Sequence, residues 1–326
     1  MRLCRSTAIV CCVAAIASVS QSQAAEELVP IRIATVANEV SAQALYAADM
    51  GFFKKHGLDA KIIVIRNGSG GAIATAVLGN TADIGQNDIV TTAAARERGL
   101  PMAALFPGWY AKSSAVTTAL VVAKQSDIRS AGDLIGKTIG VPSLAGPNKL
   151  ALVAWLQKSN VDLKDVKFVE IPVITMSAAL QRGTIAAAVT SEPDLSGNSN
   201  QTRILAAVYD ALGQSVLGGT WNATEEWIRA NPETAGKFIS AMSDATIWAN
   251  DPKNHAASLK ILEQYTPYDA EQMKRMERMQ RTIFGTEFDT SEMQPIFDAA
   301  FEQKFIPKPF RAQEMISSIA PMRQHR

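Results

Sequence analysis

The residues with the means to do chemistry in this chain sit where short β-branched runs give way to helical patterns. Asn38, Glu39 and Ser41 follow IRIATV (31–36), and Ser69 lies in RNGSGG (66–71). Gln86 and Asn87 follow ADIG, Trp109 closes MAALFPGW with Tyr110 next, and Ser143 and Gly146 stand between a strand-like run and a helical one. Glu192 precedes Pro193, and Trp221 stands near a later change of pattern. Such a set hydrogen-bonds and stacks rather than breaking covalent bonds. Side-chain amides offer a donor and an acceptor. Backbone N–H groups at helix starts attract anions without any lysine or arginine. Aromatic faces wall the apolar part of a ligand.

Each of these residues also has a plainer use. Ser41 reads first as a helix cap, whereas Ser143 reads as a ligand contact because Gly146 lets a ligand approach the backbone closely. Asn87 also fits a turn, and Trp109, Tyr110 and Trp221 also fit a core. A carboxylate at Glu192 repels an anion and favours a ligand bearing N–H groups, unless it serves a hinge. Glu39 raises the same issue, and Arg66 pulls the other way.

Enzymatic chemistry finds little support. RNGSGG lacks the lysine and Ser/Thr with which a nucleotide loop reaches phosphates and magnesium, and there is no GxSxG elbow. The histidines are His56, His255 and His325, with no metal-site spacing. Neither a catalytic residue, a metal nor a cofactor is expected, although a carboxylate-based hydrolase stays open.

Residues 1–25 have the parts of a secretory signal. Arg2 and Arg5 precede the uncharged apolar run 7–19, and Ser22-Gln23-Ala24 offers small residues where a peptidase reads. Cleavage is expected near Ala24 or Ala25, and the run is well short of the roughly 20 residues that cross a bilayer. Cys4, Cys11 and Cys12 all fall in this leader, so the exported chain has no disulfide and no thiolate. Without Arg2 and Arg5, the 32 basic residues become 30 against 31 acidic ones, a balance that suggests neither a nucleic-acid partner nor an anionic membrane. No later apolar run reaches spanning length, so no direct membrane insertion is expected.

The elements that must position the candidate residues come in two successive βα series followed by helices. The first runs through strands at 31–36, 60–65, 82–86 and 102–109, with helices between them. The second begins near residue 119 with ALVVAK and continues through DLIGKTIGV, KFVEI and IAAAVTSEP. Alternation of this kind signals a mostly parallel sheet, and ligands of open α/β sheets bind outside the carboxyl ends of the strands. After about residue 221 the pattern is helix after helix.

Four stretches in this order resemble the periplasmic solute-binding proteins of the nitrate/sulfonate/taurine/bicarbonate group, which supply ABC importers. They are IRIATV with ALYAADMGFFKKHGLDAKII (44–63), GNTADIG (79–85), DLIGKTIGV (133–141) and LQRGTIAAAVTSEP (180–193). One departure is Ala186, where many relatives carry aspartate. The resemblance implies a type II-like two-lobed α/β fold with two hinge crossings and a cleft between the lobes. Lobe one is expected at 30–119 plus 219–326, with the helical tail packed on it, and lobe two at 120–218. It also implies a periplasmic, non-enzymatic protein whose partners are a small-molecule solute and an ABC permease in the inner membrane. The aromatics suggest a small organic solute with a polar or anionic head, such as a sulfonate or carboxylate, rather than bare nitrate. A solute-presenting subunit for a membrane sensor and a family-related enzyme of pyrimidine biosynthesis are the alternatives. The enzyme would need His or Cys side chains in the cleft.

Within AADMGFFKKHGLDAKI (47–62), Gly51 predicts a helix ending near Met50, because glycine inside a helix costs roughly 1 kcal/mol. FFKKH is then a separate turn, with the phenylalanines pinned inward and Gly57 left-handed at its end.

Overall fold

A computed structural model describes residues 27–65, 70–266 and 268–324. The expected leader, Arg66, Ser69 and His325 lie outside the described residues. The chain begins with β1 (Val29–Thr35), α1 (Gln43–Asp49), α2 (Phe52–Lys55), β2 (Leu58–Val64), α3 (Gly70–Leu78), β3 (Ile84–Asp88), α4 (Ile89–Glu97), β4 (Met102–Pro107) and β5 (Trp109–Lys112). It continues with β6 (Thr118–Ala123), β7 (Thr138–Val141), α5 (Pro147–Lys158), β8 (Lys167–Glu170), α6 (Val173–Gln181), β9 (Ala187–Ser191), α7 (Asp194–Gly197) and β10 (Thr202–Ala206). Then come β11 (Ser215–Leu217), β12 (Gly219–Thr224), α8 (Glu225–Ala230), α9 (Pro232–Asn250), α10 (His255–Tyr265), α11 (Ala270–Met276), β13 (Ile283–Phe284) and α12 (Gln294–Glu302).

Two five-stranded sheets organise these elements, in the orders β2-β1-β3-β12-β4 and β10-β6-β9-β7-β8. Each is covered on both faces, because alternate strand residues point to opposite sides. In β1, Ile31 and Ile33 join Phe238, Met242 and Ala245 of α9, while Ala34 joins Ile73 and Val77 of α3. In β6, Leu120 and Val122 meet Leu152 and Leu156 of α5, while Ala119 and Val121 meet Met176 and Leu180 of α6. Gly85 lets α3 approach its sheet, since a Cβ there would stand 2.5 Å from Ile73 Cγ2.

The expectation of mostly parallel sheets needs one qualification. β12 runs antiparallel to β3 and β4, and β6 runs antiparallel to β9 and β10. Both are the first strand of a five-stranded sheet after the chain has passed between the sheets, so each enters from the crossing end. A third sheet, β11-β5-β13, gathers the two crossings and a strand of the tail.

The stretch 47–62 folds as its glycines dictate. α1 closes at Met50, Gly51 turns the chain at φ +75°, and Gly57 ends the next turn at φ +74°. Phe53 is buried and stacks on Phe238 of α9 with ring centroids 6.2 Å apart. Thus α9 packs on α1 and α2 beside the first sheet. The later tail also reaches the second sheet's elements. Arg275 Nε of α11 donates to the Gly197 carbonyl at 2.7 Å, and α12 contacts α5. No described helix is long and apolar enough to cross a membrane.

Candidate functional site

A cavity of about 620 Å³ opens between the two five-stranded sheets. Its walls are the carboxyl ends of their strands. From the first sheet come Val36 to Asn38 and Ser41 after β1, Val64 and Ile65 at the end of β2, Gln86 and Asp88 of β3, and Trp109 beyond β4. From the second come Pro142, Ser143 and Gly146 after β7, Glu170 to Ile174 at and beyond the end of β8, and Ser191, Glu192 and Asp194 at and beyond the end of β9. Tyr265 and Tyr268 of the tail complete it. The parallel strands aim their ends at one gap, which is where open α/β sheets hold ligands, and the volume suits a small organic molecule.

Local sequence sets each group. Asn38, in extended backbone, accepts from Ser41 N–H at 3.0 Å, so the cap expected of Ser41 belongs to Asn38. Ser41 is thereby free to donate through Oγ to Gln86 Oε1 at 2.9 Å, which fixes the Gln86 side chain at the cavity wall. Asp88 caps α4 by accepting from Thr91 N–H and Oγ1, each at 2.7 Å. The Trp109 indole lies against Gly218 and Gly219, where any Cβ would run into its ring, and Tyr209 meets it edge-on at 5.7 Å. Opposite, Ser143 Oγ accepts from Ala145 N–H at 3.2 Å and Glu170 Oε2 accepts from Leu144 N–H at 2.8 Å. Gly146 begins α5 and Pro172 begins α6, neither with a side-chain cap. Glu192 accepts from Ser196 N–H at 2.9 Å and Ser196 Oγ at 2.7 Å, while Asp194 Oδ2 accepts from Tyr268 Oη at 2.8 Å.

The cavity gathers Asn38, Gln86, Trp109, Ser143, Gly146 and Glu192 from among the sequence candidates. It leaves out four. Tyr110 follows Trp109 on the same strand and Asn87 lies between Gln86 and Asp88, so alternation turns both away from the wall. Trp221 is fully buried in the first sheet's core, where Nε1 donates to Gln43 Oε1 at 2.7 Å. Glu39 is fully buried too, and accepts from Arg281 Nε at 2.7 Å and from Tyr46 Oη at 2.8 Å. Sequence reading passed over Asp88, Asn148, Glu170, Asp194, Tyr265 and Tyr268. Asp88 and Asp194 carried a readable signal, an acid opening a helix just past a strand end. Tyr265 and Tyr268 carried none, because they come from a tail with no motif.

Electrostatically, the described wall is acidic. Burial pushes the Glu192 carboxyl up to about 7, against the pull of Ser196 and with help from nearby Glu39. Burial also lifts Asp194 to about 6 and raises Asp88, in each case against the hydrogen bonds it accepts. Arg281 titrates above its ordinary value; burial works to lower it, but Glu39 and Tyr46 outweigh that. Among the described residues, the wall includes no Lys, Arg, His or Cys.

The comparisons agree with this geometry. The structure is similar to the alkanesulfonate-binding protein SsuA from Xanthomonas axonopodis pv. citri bound to MOPS, with TM-score 0.71, 18% identity, and coverage of 89% of this chain and 99% of that one. It is likewise similar to the periplasmic nitrate-binding protein NrtA of Synechocystis, with TM-score 0.71, 14% identity, and coverage of 86% and 83%. In sequence, the chain is 26% identical over 251 residues to the bicarbonate transport ATP-binding protein CmpC of Synechocystis, which covers 72% of this chain. The chain spans 37% of that relative's length. A family model described as NMT1/THI5 like matches residues 38–255, a span containing both five-stranded sheets except β1 and holding most of the cavity wall. The chain belongs to the NMT1/THI5-like family and has the two-lobed α/β fold of the periplasmic binding proteins that serve ABC importers.

Proposed function

We propose that this chain is a periplasmic, non-enzymatic binding protein that captures a small organic solute and delivers it to an ABC permease in the inner membrane. The observation that carries the reading is the cavity itself, walled by strand ends of two separate sheets and by aromatic side chains. A solute held from both sides stabilises the closed arrangement, because only that arrangement makes both sets of contacts. The lobes of this reading are 30–119 plus 219–326 and 120–218, and the sheet membership supports that division. A sulfonate- or carboxylate-like head has the uncapped starts of α5 and α6 in its favour and the acidic wall against it. The pyrimidine-biosynthesis alternative is disfavoured by a described wall without His or Cys.

Native mass spectrometry of the purified protein, followed by a thermal-shift panel, tests the reading. A retained small molecule at one-to-one stoichiometry, released unchanged, is the expected result. A ligand at about 100 times its Kd should stabilise the fold by about 2.7 kcal/mol. Turnover of the bound compound would overturn the binding-protein assignment.

A further inference from the structure

We propose that the solute of this cavity carries a positively charged nitrogen, such as an arylalkylammonium, held between the carboxylates of Asp88, Glu192 and Asp194 and the faces of Trp109 and Tyr268. This rests on the solute-binding reading above and specifies its chemistry.

Three observations converge on it. First, carboxyl groups enter the cavity from separate elements: Asp88 ends β3, Glu170 ends β8, and Glu192 and Asp194 follow β9, while no basic side chain is among the described wall. Second, the nearby cation is already engaged. Arg281 donates to Glu39 at 2.7 Å and to Tyr46 Oη at 3.0 Å, and it also bonds Ser258 Oγ. Glu39 thus has its counter-ion, whereas Glu192 has Ser196 for donors and Asp194 has a neutral phenol. A carboxylate accepts at about four lone-pair sites, so these groups keep capacity for an N–H donor. Third, Trp109, Tyr265 and Tyr268 bring aromatic rings to the same wall, and a ligand cation over such a face is attracted by the ring quadrupole.

Burial that raises Glu192 and Asp194 is consistent with this, since a cation seated between them would favour their ionised forms. The uncapped starts of α5 and α6 follow β7 and β8 on the same sheet as Glu192 and Asp194, and suit a negative or polar group elsewhere on the same molecule. They do not replace the nitrogen, because an oxyanion alone would leave the carboxylates unpaired and facing a like charge.

The test uses three probes of similar size: phenethylammonium, 3-phenylpropionate and benzenesulfonate, each titrated calorimetrically into the purified protein at pH 8. The ammonium should bind at least about tenfold more tightly than either anion. Asp194→Asn and Glu192→Gln should each weaken it by roughly tenfold or more, and Arg66→Ala should not. Tighter binding of either anion, abolished by Arg66→Ala and indifferent to Asp194→Asn, overturns the cationic assignment and leaves solute binding intact. Where none of the probes binds, the compound retained in native mass spectrometry decides: one with a basic nitrogen supports the proposal and one without overturns it. No retained compound and no probe binding would overturn both this proposal and the solute-binding reading.

Discussion

Glu39 and Glu192 show how burial alone fails to define a carboxylate's role. Both are at most 2% exposed, but Glu39 meets a guanidinium and Glu192 meets only hydroxyl and amide donors. Removing the charge therefore has opposite consequences. Glu39→Gln leaves Arg281 buried without its partner and should cost about 3–5 kcal/mol, read as a lowered urea midpoint. Glu192→Gln relieves a group that burial already disfavours in its charged form, with Glu39 adding like-charge repulsion and Arg281 committed elsewhere. Since the folded-state pKa of Glu192 is raised from 4.5 to about 7, and that of Asp194 from 3.8 to about 6, their contribution is fully present at low pH. It is lost as pH rises through about 6 to about 7. The unliganded protein should thus lose stability between pH 5 and pH 8, and Glu192→Gln should flatten that slope. Denaturation midpoints across this range check the sign.

At the scale of elements, glycines decide how closely segments pack and where they turn. Gly51 takes φ +75° between α1 and α2 with open space where a Cβ would go. Gly51→Ala should therefore cost only the left-handed strain, about 1–2 kcal/mol. Gly219→Ala differs in kind: its Cβ would stand 2.5 Å from Trp109 Nε1 and 2.6 Å from Gln86 Nε2. Overpacking of this sort costs about 1–3 kcal/mol, and because both displaced groups line the cavity, solute affinity should fall along with thermal stability. Gly51→Ala should spare affinity, which titration of both variants with one ligand would show. The helix break at Gly51 was legible because glycine's left-handed tolerance is a local property. The Gly218–Gly219 platform under Trp109 was not, since its partner lies more than a hundred residues earlier in the chain.

For the whole molecule, the tail is the unexpected participant. Tyr268 and Arg275 tie the segment after α10 to Asp194 and Gly197 beside the second sheet, while α9 is packed on α1 and α2. The tail therefore spans the cavity's two sides, and its hydrogen bond to Asp194 is made where the solute is expected to sit. Tyr268→Phe removes that bond and should weaken solute binding roughly tenfold, with a smaller contraction on ligand addition in small-angle scattering. An unchanged affinity would place Tyr268 outside the closing arrangement.

The sequence by itself determined the two βα series, the strand ends that carry Asn38, Gln86, Trp109, Ser143, Gly146 and Glu192, and the scaffold role of FFKKH. These rest on periodicity, turn chemistry and strand alternation, which act over a few residues. Tertiary structure decided which member of each adjacent pair faces the cavity, as with Trp109 over Tyr110 and Gln86 over Asn87. It also decided that Glu39 is spent on Arg281, and that Asp88, Asp194, Tyr265 and Tyr268 join the wall. The physical reason is that charge balance and exposure are sums over neighbours brought from distant parts of the chain. Counting side chains along the sequence left the sign of the cavity open; among the described residues the wall holds Asp88, Glu170, Glu192 and Asp194 and no basic group, while Arg281 is paired with Glu39 away from it.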